Sequence, residues 1–187
     1  MAIALDIRAE FRDVLQELRT IERNLGRTVI ARTLNRLGDQ VKTKATREIS
    51  GSYNITARKV RERIQVRKAF REALSVTVEV QSKFGRRATN LITFGARQLK
   101  RGGVSVKIRK DRPPLKGAKW FVITNRTTQG TFVARRTGKG RKDIESVMTI
   151  DVGQMFNAKR VNEELLKLVR QRFPDEFARQ FRFATKR

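Results

Sequence analysis

The 187-residue sequence contains no cysteine and no histidine. Without thiols there is no disulfide and no thiolate nucleophile, and without imidazole there is no Ser-His-Asp triad, no imidazole general base and no Cys/His zinc site. Most familiar enzyme chemistry is excluded on that ground. Acids are scarce as well: eighteen Asp and Glu stand against forty-four Lys and Arg, a formal charge of +26 with an isoelectric point near 11.7. Such a chain attracts polyanions. No run approaches the roughly 18 apolar residues of a membrane span, so no membrane partner is expected. The opening residues place Asp6, Glu10 and Asp13 where a signal peptide would be basic and then apolar, and the expectation is a protein made and kept in a cytoplasm-like compartment.

What is present is enough for a core. Apolar residues make up 39% of the chain and recur periodically rather than in one pool, which argues against disorder. At this length the expectation is one domain over residues 1–187, with a helical region to residue 70, a β-rich basic region over 71–152 and carboxy-terminal helices over 153–187.

The charge is regional. Residues 1–25 carry a net −1, whereas residues 81–142 hold eighteen Lys and Arg against the single acid Asp111, a net +17. About two thirds of the excess sits in one third of the chain, which a uniformly solvated basic coat would not produce.

Apolar spacing predicts the elements. Ile7, Phe11, Val14, Leu15, Leu18, Ile21 and Leu25 form one helical stripe, and Gly26 is a candidate stop. A second stripe starts near Thr28 with Ile30, Leu34, Leu37, Val41, Ala45 and Ile49. Residues 50–54 read as a turn, and Thr56 as the cap of a short basic helix over 57–66 with Val60 and Ile64 inward. From Leu74 the period becomes two, through Val76, Val78 and Val80, the clearest strand signal. Further short strands are expected at 90–94, 104–108, 120–124, 131–134 and 147–150. Helical spacing returns near Gln154 through Met155, Val161, Leu165, Leu168 and Val169, and Pro174 is placed to open a last helix with Phe177 and Phe181. Helices, then a small mainly antiparallel sheet with long basic loops, then helices is an α+β pattern.

For chemistry, Asp143, Glu145 and Asp151 are the closest acid cluster, but no calcium-loop spacing is present and surface acids are the better reading; no metal site and no cofactor are expected. A metal-dependent nuclease using those acids is the weakest alternative. Gly102-Gly103 and Gly138-Lys139-Gly140 resemble phosphate-cradling loops, yet no G-x-x-x-x-G-K-S/T run occurs. The functional reading of the basic region is contact with nucleic-acid phosphates through Arg86, Arg87, Arg97, Lys100, Arg101, Lys107, Arg109, Lys110, Arg112, Lys116, Lys119, Arg135, Arg136, Lys139, Arg141 and Lys142. Its rivals are simple solubility or an acidic protein partner. Base-specific reading has no zinc finger, RRM or convincing helix-turn-helix behind it. Trp120, Phe121 and Phe132 could stack on bases, with core packing the better reading.

Several segments together resemble one family. The helix start Arg32-Thr33-Leu34-Asn35-Arg36, the block Ala57-Arg58-Lys59-Val60-Arg61-Glu62-Arg63-Ile64, the Arg- and Gly-rich middle and the closing Phe173-Pro174-Asp175-Glu176-Phe177 with its Gln- and Arg-containing helix are similar to the minor tail protein Z family of long-tailed bacteriophages, also described as tail completion or neck proteins. The resemblance implies a non-enzymatic virion component, synthesised in the bacterial host cytoplasm and placed at the head-proximal end of the tail. It further implies a homo-oligomeric ring, a hexamer, that touches tail terminator or tail tube proteins, head-tail connector proteins and the double-stranded DNA end. The rival from another class is a cellular, sequence-independent nucleic-acid-binding protein, nucleoid- or ribosome-associated. On this reading, replacing Arg109, Lys110, Arg112, Lys116 and Lys119 by Ser leaves folding intact and flattens the salt dependence of DNA binding.

Overall fold

A computed structural model describes residues 4–6, 23–81, 88–126, 129–140 and 143–185. The fold is α+β, with a long amino-terminal helix, several small sheets and a long carboxy-terminal helix. Among the described residues every strand pairing is antiparallel. The β content is divided among four small sheets rather than collected in the one that periodicity suggested.

Helix α1 spans Arg23–Ser52. Its expected stripe, Ile30, Leu34, Leu37, Val41, Ala45 and Ile49, is buried throughout. Gly26 is not a stop: the helix passes through it, and a side chain there would meet only open space. The burial that follows at Val29 and Ile30 outweighs the roughly 1 kcal/mol that an internal glycine costs. The helix also consumes residues 50–52 of the expected turn. The predicted amphipathic helix over 7–25 lies outside the described residues as far as residue 22.

The short basic helix is shorter than its pattern suggested. Helix α2 covers Ala57–Arg61 only; Thr56 occupies its cap position, but its side chain makes no capping hydrogen bond. The chain then turns into strand β2, Ile64–Arg67, whose Ile64 and Val66 lie opposite Val80 and Val78 of β3, Thr77–Val80. Pairing with a neighbouring strand places Ile64 in the core as a helix would have done, and adds a hydrogen-bonded ladder. Strand β1, Ala4–Asp6, which the pattern did not reveal, pairs with the other edge of β3. Gly38 makes the approach of α1 to this hairpin possible: a Cβ there would lie 2.8 Å from Val76 and 2.9 Å from Val66.

The expected strand over 90–94 divides in two. Ala88–Asn90 form β4, and Leu91–Phe94 form a 3-10 helix because the Asn90 side chain accepts the Ile92 N–H. Then come β5 (Arg97–Gln98), β6 (Val104–Val106), β7 (Leu115–Gly117), β8 (Trp120–Thr124), β9 (Thr131–Arg136), β10 (Ile144–Ser146) and β11 (Met148–Ile150). Asp151 caps the short helix α3, Val152–Phe156, through a capping box with Gln154. Helix α4 spans Lys159–Thr185. Pro174 lies inside it instead of opening a separate helix. Phe173, Phe177 and Phe181 stack along one face with ring centres 6.0 and 6.2 Å apart, and this packing offsets the backbone bond that proline removes.

α1 and α4 pack along much of their length, burying Val161, Leu165, Val169 and Phe173. Lys44 of α1 ties the pair by bridging Glu48 (2.9 Å) and Glu164 of α4 (3.3 Å). Two asparagines act as substitute backbone. Asn35 donates to the Ala69 carbonyl (3.0 Å) and accepts its N–H (2.7 Å), fixing the β2–β3 connection to α1. Asn90 makes the same paired contact with Val133, both at 2.9 Å, joining β4 to β9.

Asn35→Ala leaves the Ala69 N–H and carbonyl without their partner, and Asn90→Ala does the same to the Val133 N–H, whose carbonyl keeps the Val147 N–H; each should lower the unfolding free energy by about 1–3 kcal/mol in a denaturant titration. Buried Glu176 would be raised in pKa by burial alone, but hydrogen bonds from Gln180 (2.9 Å) and Arg179 (2.7 Å) outweigh this and hold it below the usual value. Its contribution is complete above the unfolded-state pKa of about 4.3 and is lost as pH falls towards the lower folded value. Glu176→Gln should therefore melt earlier at neutral pH and lose less stability on acidification through that interval, as read by Tm against pH.

Candidate nucleic-acid interface

Alternation in β6 sorts its side chains. Val104 and Val106 face the core, so Ser105 faces out. Register places Arg97 of β5 on one side of Ser105 and Lys116 of β7 on the other. Lys107, two residues beyond Ser105, continues that face, and all three cations are exposed. Lys100 and Arg101 occupy the tip of the β5–β6 hairpin, closed by hydrogen bonds between Leu99 and Gly103 and between Gly102 and Leu99. Gly103 has φ of 82°, and a Cβ on it would stand 2.7 Å from the Gly117 carbonyl, so the glycine allows β6 to approach β7 closely. Among the described residues, none of these five cations, nor Arg112, Lys119 or Lys139, lies within ion-pair distance of a carboxylate. The result is a sheet face and hairpin tip able to meet several phosphates at once, without an element shaped to enter a groove.

Other predicted residues have structural partners. Arg109 forms an antiparallel bridge with Tyr53, lies 5.5 Å from its ring centre and holds Asp111 through two hydrogen bonds of 2.8 and 2.9 Å. The Asp111 carboxyl is lowered by this guanidinium, and Arg109 is raised in return. Lys110 donates through its backbone to Ser52 and through Nζ to the Ser50 carbonyl at 2.8 Å. Two cations thus sit at the carboxy-terminal end of α1, where carbonyls lack intrahelical donors and the helix dipole is negative. Arg135 pairs across the strand with Glu145 at 2.9 Å. Arg136 donates to the Gly140 carbonyl and lies 6.0 Å from the centre of the Phe121 ring. Arg86, Arg87, Arg141 and Lys142 lie outside the described residues.

The glycine loops and the acids also find internal uses. The Gly140 N–H donates to Asp143 at 2.8 Å, so the Gly138-Lys139-Gly140 turn encloses the chain's own carboxylate and its Gly140 N–H is not free for a phosphate. Glu145 is held by Arg135, and Asp151 caps α3. Among the described residues no three Asp or Glu converge in a way that could hold a metal ion. Trp120 packs against the core, while Phe121 and Phe132 are half-buried on the opposite face of the β8–β9–β10 sheet. Among the described residues no helix is long and apolar enough to cross a membrane.

A family model described as prophage minor tail protein Z (GPZ) matches residues 11–187. The chain belongs to this family. No curated protein and no solved structure matches it. Membership makes this minor tail protein a structural component of the phage virion, built to contact other virion proteins. The matched stretch includes α1, all the basic strands and α4.

Charge counting did not reveal which cations of this minor tail protein are committed internally. One local signal points to them, the acid two residues after Arg109. The docking of Arg109 and Lys110 on α1 leaves no comparable signal, because residues 50–53 are remote in sequence. The joint replacement of Arg109, Lys110, Arg112, Lys116 and Lys119 is therefore expected to remove internal contacts of Arg109 and Lys110 as well as charge. Arg109→Ser with Lys110→Ser should lower Tm by a few degrees, whereas Lys100→Ser with Arg101→Ser should leave it within about a degree, as measured by calorimetry.

Proposed function

We propose that this minor tail protein is a non-enzymatic tail-completion component that forms a homo-oligomeric ring at the head-proximal end of the tail and holds the genome end through its basic face. The observation that carries the reading is the outward row Arg97, Ser105 and Lys116, extended by Lys107 and by Lys100 and Arg101 at the hairpin tip. Exposed cations without internal counter-ions attract a polyanion whose charges recur roughly every 1.7 Å along the duplex axis, and they do so without reading bases. Such interactions are individually weak and salt-screened, which suits a DNA end that must later leave. Tail terminator or tail tube proteins and head-tail connector proteins are the proposed neighbours. A shared core that includes α1, the small sheets and α4 supports treating residues 1–187 as one domain.

Duplex DNA binding measured across a salt series tests the DNA interaction. Replacing Lys100, Arg101, Lys107 and Lys116 by Ser should keep the fold and reduce the slope of log K against log salt by about 3–4, since each phosphate left without its cation removes about 0.9 from the slope. Unrelated duplex sequences should bind within about twofold of one another. An unchanged salt slope would overturn the assignment. Location of the chain in the assembled particle tests the ring and its neighbours.

A further inference from the structure

A second concentration of cations lies far from the basic middle in sequence and arises only when the two long helices pack. On α1, Arg32, Arg36 and Arg47 are separated by four and eleven residues, which returns each to nearly the same face. Arg172 and Arg179 of α4 line the same groove, with Lys68 beside them. Two concavities of about 550 and 570 Å³ share Arg36, Asp39 and Arg179 and so form one continuous groove. The carboxylate that lines it, Asp39, pairs with Lys68 at 2.7 Å, and Arg179 is held by the buried Glu176 at 2.7 Å. Arg32, Arg36, Arg47 and Arg172 are exposed, and among the described residues none has a carboxylate within ion-pair distance.

The groove is not purely polar. Leu168 contributes to its lining, and at one end Phe183 is 62% exposed, with the Arg32 guanidinium 5.9 Å from its ring centre. Packed helices lie about 8–10 Å apart, so the trough between their solvent edges fits one polypeptide segment better than the broad convex surface of a duplex. Guanidinium forks match carboxylates in bidentate geometry, and an exposed ring beside a cation favours an apolar neighbour. We propose that the α1/α4 groove docks a carboxylate-rich protein segment with interspersed apolar side chains, separately from the DNA-facing sheet. The groove is thus an assembly contact for an acidic partner, and it stands whether or not the sheet face binds DNA.

The test uses the full chain and two probes, a fluorescein-labelled Glu-rich peptide with interspersed Leu and a duplex of arbitrary sequence. Arg36→Ser, Arg47→Ser and Arg172→Ser together should weaken the peptide by at least about tenfold and leave duplex affinity within about twofold. Replacing Lys100, Arg101, Lys107 and Lys116 by Ser should leave peptide affinity nearly unchanged. Arg36→Lys, Arg47→Lys and Arg172→Lys together keep the net charge but remove the forks, and should also weaken the peptide. Peptide affinity unchanged in the Ser variant overturns the proposal, as does wild-type affinity in the Lys variant, which would reduce the effect to net charge. Duplex affinity falling as far as peptide affinity would make the groove a nucleic-acid surface instead. Melting curves of both variants confirm that the fold is kept.

Discussion

The buried face of α1 is the constraint on which the rest of the molecule depends. A helix of 30 residues with Ile30, Leu34, Leu37, Val41, Ala45 and Ile49 along one side must cover that stripe, and no single neighbour does so. α4 packs along it, the β2–β3 hairpin closes over Gly38, and α3 and the 3-10 helix complete the core. In a chain with a charge of +26 this apolar contact also opposes self-repulsion.

The small sheets would be marginal in isolation, since two- and three-stranded sheets bury little apolar surface. Each is tied to its surroundings by polar contacts that imitate backbone pairing. Asn35 and Asn90 do this with Ala69 and Val133, and Gln98 receives the Val122 N–H while donating to the Gly103 carbonyl. Arg109 and Lys110 extend the same device to the end of α1. Part of the basic character therefore holds the scaffold together, and part stays exposed without a carboxylate of the chain's own.

That division gives the tail protein two cationic surfaces of different shape. The β5–β6–β7 face and its hairpin tip present Arg97, Lys100, Arg101, Lys107 and Lys116 as exposed side chains. The α1/α4 groove is concave, carries apolar residues in its lining and presents arginines at helical spacing. Surfaces that differ in curvature and polarity select different polyanions, even when the charge on each is alike.

Much of this was legible in the chain itself. The α1 stripe, the Val78-Val80 part of a strand signal that starts at Leu74 although the strand begins at Thr77, the α+β order and the family likeness all rest on local periodicity or on contiguous motifs, which a sequence carries without reference to distant residues. The helix passing through Gly26 and on to residue 52, the change from helix to strand at Ile64 and the passage of α4 through Pro174 did not follow from local pattern. In each, packing against a remote element outweighed a local preference of about a kilocalorie or a few. The same holds for charge. The sequence by itself determined how many cations there are and in which stretch they concentrate. Only the tertiary structure decided which are bound to the chain's own carbonyls and carboxylates, which stand free on one sheet face, and which meet across two helices, because a charge's availability depends on neighbours that only folding brings within reach.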